Sequence, residues 1–296
     1  MTTRPPHPLR GLVALDLDGT LLRNDKSVAD ADARAIATAM ARGVAVTLAT
    51  GRLVTGTLPT ARRLALSTPL ICADGGLIID PTTGEALERR SISVEHADVA
   101  LGALVSHGLV PFVFSAEAIH CEPAGAVHRS IVDTWSSEIV VHPELARAAS
   151  WRRPEGVALT AGLGGRAEVE RASEHLRVTH ADRFDTVHFS IGGGPVWAVR
   201  SLPRGCDKGD MLVRLAARLG IDRARVAAVG DWFNDLGMFA VAGRSFAMGQ
   251  APDRVREAAT DQLAATSASG GGVAEALGRL LEAWQRSGAI GDAGAG

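Results

Sequence analysis

The chain has 296 residues, 46% of them hydrophobic and 22% charged, with a formal net charge of -2. That length predicts one large domain plus a second, smaller one, and the near-neutral charge excludes a global basic field for nucleic acid or an anionic membrane. Cys72, Cys121 and Cys206 lack zinc or disulfide spacing, the Pro-rich start has no signal-like apolar core, and no apolar run approaches the ~18 residues of a membrane helix, so a soluble, cytoplasmic protein is expected.

From the N-terminus, Leu12-Val-Ala-Leu-Asp16-Leu-Asp18 predicts a buried strand over 12–17 that stops at two carboxylates one residue apart. The side-chain period of two puts Asp16 and Asp18 on the same side. Like charges then face each other unless a cation, a proton or a substrate separates them. A helix over about 29–42 follows, with Ile36 and Met40 four apart and Gly43 as its C-terminal cap. Strand 44–49 ends at Thr50-Gly51-Arg52, a helix covers about 55–66, and strand 70–72 runs into Asp74-Gly75-Gly76. This alternation predicts parallel βαβ units. The pattern weakens from about 84 to 194, where strand-like runs (110–114, 187–191) mix with helices (about 94–106 and 166–176), which indicates an insert. Gly192-Gly193-Gly194-Pro195 reads as a flexible junction between domains. Beyond it, Asp207 N-caps a helix over 208–219 with Met211, Leu212, Leu215 and Leu219 at core spacing and Gly220 as its stop. Strand 226–229 then ends at Gly230-Asp231. The expected organisation is a discontinuous core over 1–83 and 195–296, an insert over 84–194, and a disordered tail over 287–296.

Four segments thus converge at one sheet edge: Asp16-x-Asp18, Thr50-Gly51-Arg52, Asp207-Lys208-Gly209 and Gly230-Asp231-Trp-Phe-Asn234-Asp235. The C-terminal edge of an open α/β sheet is where such folds place their chemistry. Four carboxylates around one lysine demand a metal, and hard oxygen ligands without His or Cys point to Mg²⁺.

These segments resemble the four motifs of the haloacid dehalogenase superfamily. Asp16-x-Asp18-Gly-Thr-Leu-Leu matches the first, Thr50-Gly-Arg the second, Lys208-Gly the third and Gly230-Asp231-x-x-Asn234-Asp235 the fourth. The insert, with Ala-Asp74-Gly-Gly before it and Phe246-Ala-Met-Gly249 near the end, is similar to the Cof-type branch that carries a C2B cap. The resemblance implies an α/β fold, a doubly wound Rossmannoid parallel-sheet core with an α+β cap that chooses the substrate. It also implies phosphoryl transfer through an aspartyl-phosphate, with Asp16 as nucleophile and Asp18 as general acid and base. By the same resemblance Asp16, the backbone carbonyl of Asp18 and Asp231 hold Mg²⁺, with Asp235 beside it directly or through water. Thr50, the Gly51 amide, Lys208 and Asn234 hold phosphate oxygens, with Leu17, beside the nucleophile, counted among the substrate- and phosphate-binding residues.

On charge alone, Asp16 is ionised at neutral pH, and its charge should raise the pKa of Asp18 toward that of a general acid. Two positions depart from the branch. Asp74 stands where Asn is usual, which adds a negative charge and removes a donor near the site, and Gln250 stands where Asn is common. Trp232 and Phe233 read as packing, His120, His128 and His142 as surface or local hydrogen-bonding groups, and Gly162-Leu-Gly164-Gly165 as a cap loop. The implied partner is a small phosphomonoester, with sugar phosphates favoured and neither nucleic acid nor membrane involved, and the implied assembly is a monomer or homodimer. Open alternatives are a cofactor or nucleotide phosphatase (FMN, pyridoxal phosphate or a riboflavin-precursor phosphate), a phosphotransferase or mutase, and a non-enzymatic phosphometabolite-binding protein.

Overall fold

The computed structural model describes residues 9–288, and the expected tail lies outside them from 289 onward. The first core segment contains β1 (Gly11–Leu15), α1 (Asp30–Ala41), β2 (Val44–Leu48), α2 (Val54–Arg63), β3 (Leu70–Cys72), β4 (Leu77–Ile79) and β5 (Ala86–Arg89). The insert runs through α3 (Val94–Ser106), β6 (Val110–Phe114), β7 (Ile119–Cys121), α4 (Arg129–Trp135), β8 (Ile139–Val141), β9 (Leu159–Gly164), α5 (Arg166–Thr179), β10 (Phe184–Ser190) and β11 (Trp197–Pro203). The core then resumes with α6 (Lys208–Leu219), β12 (Val226–Gly230), α7 (Leu236–Val241), β13 (Arg244–Ala247), α8 (Asp253–Ala258), β14 (Asp261–Gln262) and α9 (Gly272–Arg286). Among the described residues no helix is long and apolar enough to cross a membrane.

The core sheet is parallel, in the order β14-β13-β12-β1-β2, and a bridge from Ala49 to Ile71 carries it on to β3. Alternation along β1 builds both faces. Val13 and Leu15 pack with Ile36, Leu277, Leu280 and Trp284 of α1 and α9, while Leu12 and Ala14 pack with Met211, Leu212, Leu215 and Met238 of α6 and α7. Each large aliphatic side chain removed from water here contributes roughly 1.5 to 3 kcal/mol. Strand order reverses between β1 and β12, whose Leu15 and Val229 are paired. The loops leaving these two strands therefore open a crevice at their C-terminal ends.

The insert forms a six-stranded mixed sheet, β10-β11-β9-β6-β7-β8. One face, including Val113 and Val199, packs with Leu104, Trp151, Val169 and Leu176 under α3 and α5. The other face, with Phe112, Phe114, Leu159, Ala161 and Ala198, shares a cluster with Leu53 and Cys72 of the core. The end of α4 docks on the start of α2, where the Leu53 amide donates to the Trp135 carbonyl at 2.8 Å.

Three expectations are corrected. Gly192-Gly193-Gly194-Pro195 is the turn of the β10–β11 hairpin, closed by the Ile191 amide on the Val196 carbonyl at 2.9 Å, and not a domain junction. Its Gly192 and Gly193 take φ of 58° and 70°, which glycine adopts without steric cost. Consequently β11 belongs to the insert sheet, and β5 pairs with β4. Strand β1 stops at Leu15, so Asp16 and Asp18 lie in the following loop, although the Asp16 amide extends the ladder by donating to the Val229 carbonyl at 3.0 Å. Finally, Gly162 and Gly164 lie within β9 rather than in a loop, because they pair with Val199 and Trp197.

Candidate active site

The loop after β1 turns sharply at Gly19, whose φ of 87° and lack of a Cβ let the loop press on Asp231, where any Cβ would overlap the carboxylate. Thr20 donates through Oγ1 to Asp231 Oδ1 at 2.7 Å, tying the β1 loop to the β12 loop. Asp207 caps α6 by accepting from the Asp210 amide at 2.8 Å, which aims the next residue inward. Lys208 is fully buried. Its Nζ donates to Asp16 Oδ1 at 2.6 Å and to Asp235 Oδ1 at 2.8 Å. The other oxygen of Asp235 accepts from the amides of Asp231 and Trp232 at 2.9 and 3.0 Å.

Carboxylate oxygens of Asp16, Asp231 and Asp235 lie within 4.8 Å of one another, and all three residues are buried. Burial raises the Asp16 carboxyl well above its ordinary value. Lys208 opposes that shift, and Asp235 and Asp231 add to it. Burial likewise pushes Asp231 up to about 7, reinforced by Asp235 and opposed by Thr20. Burial alone would depress the Lys208 ammonium, but Asp16, Asp235 and Asp74 outweigh it and hold it above its usual value. One buried ammonium thus serves more carboxylates than it neutralises. A hard cation fits this oxygen-only donor set, with Asp16 and Asp231 keeping an oxygen outside the bonds just described. Asp235 has both oxygens engaged, which suits it to supporting the cluster.

Asp18 departs from its expected electrostatics. Burial raises its pKa, but the Arg52 hydrogen bonds and charge and the nearby Lys26 outweigh that, so the carboxyl is held below the ordinary range rather than above it. Arg52 grips it in a fork, Nε to Oδ2 at 2.6 Å and Nη2 to Oδ1 at 2.5 Å, and Lys26 Nζ reaches Oδ1 at 2.9 Å. The like charge of Asp16 is the weaker influence because the side chain turns toward the second motif. Bidentate guanidinium pairing favours the ionised acid.

The remaining expected phosphate contacts surround this cluster. Thr50 is buried and its Oγ1 accepts from the Arg52 amide at 3.2 Å. Gly51 follows it, next to Asp74 and Arg200. Leu17 has a fully buried side chain, so only its backbone is available to the site, and its carbonyl accepts from the amides of Thr20 and Leu22. Asn234 Nδ2 donates to Asp74 Oδ1 at 2.9 Å. Gln250 braces the first loop by donating to the Gly19 carbonyl at 2.6 Å and accepting from the Ser267 amide at 3.1 Å.

Trp232 and Phe233 make an edge-to-face pair, and Phe233 is 40% exposed. His120, read as a local hydrogen-bonding group, is buried and bonded to His142 at 3.0 Å. Three participants were not assigned from the sequence: Thr20 and Lys26, which sit in the first-motif loop, and Arg200, which arrives from β11. The available signal for Arg200 was parity, since it shares a strand face with the apolar Ala198 and Leu202.

The chain belongs to the family of haloacid dehalogenase-like hydrolases, whose model matches residues 13–277. Over 267 residues it is 30% identical to a pyridoxal phosphate phosphatase of Escherichia coli (strain K12), a match that covers 86% of this chain and 91% of the relative. It is 27% identical over 249 residues to a 5-amino-6-(5-phospho-D-ribitylamino)uracil phosphatase of Bacillus subtilis (strain 168), covering 84% and 87% of the two chains. In fold it is similar to a haloacid dehalogenase-like hydrolase from Bacteroides thetaiotaomicron, with TM-score 0.77, 24% identity and coverage of 91% and 99%. The enzyme class is phosphoric monoester hydrolase of the Cof-type branch.

Proposed function

We propose that the protein is a cytoplasmic, Mg²⁺-dependent phosphatase that hydrolyses small phosphomonoesters through a phosphorylated Asp16. The observation that carries this is the buried Asp16–Lys208–Asp235 arrangement with Asp231 alongside, at the switch point of the sheet. Asp16 Oδ attacks phosphorus as the ester P–O bond breaks, and Asp18 gives its proton to the departing oxygen. Asp18, now a carboxylate, then takes a proton from water as that water's oxygen attacks the aspartyl-phosphate, releasing inorganic phosphate and restoring Asp16. Asp18 must leave the Arg52 fork to carry a proton, because the paired acid is held ionised. Lys208, Thr50 and the Gly51 amide orient phosphate oxygens, and their preorganised donors supply much of the rate enhancement.

Asp16 and Asp231, with the Asp18 carbonyl, would hold Mg²⁺, supported by Asp235. The ion would supply the positive charge that lets an anionic carboxylate meet a phosphate of roughly -1.5 to -2. For the leaving group, sugar phosphates remain the leading class. The relatives named for pyridoxal phosphate and for a phosphoribitylamino-uracil support a second reading, a cofactor-type phosphate.

The test is release of inorganic phosphate from a panel of sugar phosphates, pyridoxal phosphate and FMN, with Mg²⁺ and with a chelator. Mg²⁺-dependent release with a preferred ester is expected. Transfer of the phosphoryl group to a sugar hydroxyl without free phosphate would replace the reading by a phosphotransferase, and binding without turnover by a phosphometabolite-binding protein.

A further inference from the structure

Arg200 is a buried charge to which the hydrolytic steps assign no task. It is 3% exposed and comes from β11 of the insert, on the sheet face turned to the core. The rings of Trp135, Phe189 and Phe114 surround its guanidinium at 4.7, 5.2 and 5.9 Å. Its Nη1 donates to Asp74 Oδ2, a residue 126 positions earlier in the core. A guanidinium buried this deeply is costly unless paired, and aromatic faces offset only part of that cost. Its Nε remains buried without a partner, so the pair is not a fully satisfied structural bond.

Asp74 lies in an unusual backbone. Ala73 and Asp74 both have φ of 52°, a region that non-glycine residues rarely occupy. That conformation puts both Asp74 oxygens 3.0 Å from the point where a Cβ on Gly51 would lie, with Arg200 Nη1 at 2.5 Å from the same point. Asn234 is drawn onto the same carboxylate. A carboxylate so placed lies against Gly51, one of the residues proposed above to hold phosphate, and bare it would repel a dianion.

We propose, resting on the phosphatase reading above, that Arg200 is a positioning residue whose guanidinium neutralises Asp74, so that the core accepts phosphate only when the insert is docked upon it. When β11 moves away, Arg200 leaves with it. Asp74 beside Gly51 then keeps only the Asn234 hydrogen bond and the charge of Lys208, which Asp16 and Asp235 already share, and its excess charge opposes the substrate. With the insert docked, the charge that Asp at this position adds is offset by the Arg200 guanidinium. The insert thereby controls the electrostatics of phosphate binding separately from any contact it makes with the leaving group.

The test uses the full chain with Mg²⁺, read by calorimetric titration of inorganic phosphate and by hydrolysis of p-nitrophenyl phosphate. Arg200→Gln is expected to weaken phosphate binding and raise KM by roughly tenfold or more, with a smaller change in kcat. Adding Asp74→Asn to that variant should restore both values to within about threefold of the parent, because the charge needing compensation is gone. Asp74→Asn alone should bind phosphate as tightly as the parent or more tightly. Unchanged phosphate affinity in Arg200→Gln, a double variant as weak as Arg200→Gln, or weakened binding in Asp74→Asn would each overturn the proposal. If Arg200→Gln does not fold, Asp74→Asn alone decides it. Titration reads binding without turnover, so a protein that binds phosphate in this pattern but hydrolyses no ester would remove the phosphatase reading and leave the Arg200 role intact.

Discussion

At the catalytic edge of the core, Asp16, Asp231 and Asp235 crowd around the fully buried Lys208, and the order there is imposed by short loops leaving neighbouring strands. The insert is built the other way. Its core-facing sheet side is Phe112, Phe114, Leu159, Ala161 and Ala198, into which Arg200 brings a charge whose partner lies in the core. The first region gathers buried carboxylates that could hold a cation, and the second brings a positive charge from the insert sheet to a carboxylate of the core. The proposed chemistry therefore rests on one sheet edge, whereas the proposed control of phosphate binding rests on a contact between two chain segments.

The sharpest way to break this division is at the nucleophile. Asp16→Asn should reduce turnover by roughly 10⁴-fold or more, since the amide cannot replace an attacking carboxylate. Phosphate release in steady state checks this, with circular dichroism to confirm the fold. Activity within tenfold of the parent would place the chemistry elsewhere. Trp151→Ala probes the insert away from the crevice. The side chain is fully buried and its Nε1 donates to the Leu145 carbonyl at 2.9 Å. Its loss should cost about 3 to 5 kcal/mol in urea unfolding, while kcat/KM below the melting range stays near the parent value.

A smaller effect should appear with pH. Burial, with the charge of His142, lowers His120 to about 4. The folded state therefore excludes its proton. The stability tied to neutral His120 is full above about pH 6.5 and is lost as pH falls from there toward 4. Comparing thermal unfolding of the parent with His120→Asn, the parent's advantage at pH 7.5 should shrink by roughly 1 to 2 kcal/mol by pH 4.5. An advantage that grows on acidification would mean that the protonated ring is the favoured one.

The elements followed local signals closely. The helix Lys208–Leu219 begins at its Asp207 cap and ends at Gly220 with φ of 67°, and Val94–Ser106 and Val110–Phe114 have the bounds that their patterns indicate. The junction at Gly192-Gly193-Gly194-Pro195 misled because a hairpin turn and a linker share one composition, and only the pairing of Ser190 with Trp197 separates them. The acidity of Asp18 went in the opposite direction to expectation for a related reason. Asp16 is its neighbour in sequence, but the Arg52 fork that governs it comes from 34 residues away.

By itself, the sequence determined the alternating core and the acidic cluster, because strand ends and helix caps are encoded within a few residues of the groups they aim, and it carried the four motifs whose resemblance implied the reaction class. Tertiary structure alone decided which sheet β5 and β11 join, which way Asp18 turns, and that Asp74 meets Arg200. These depend on pairings between distant segments, and a charge's pKa and role follow from its neighbours in space.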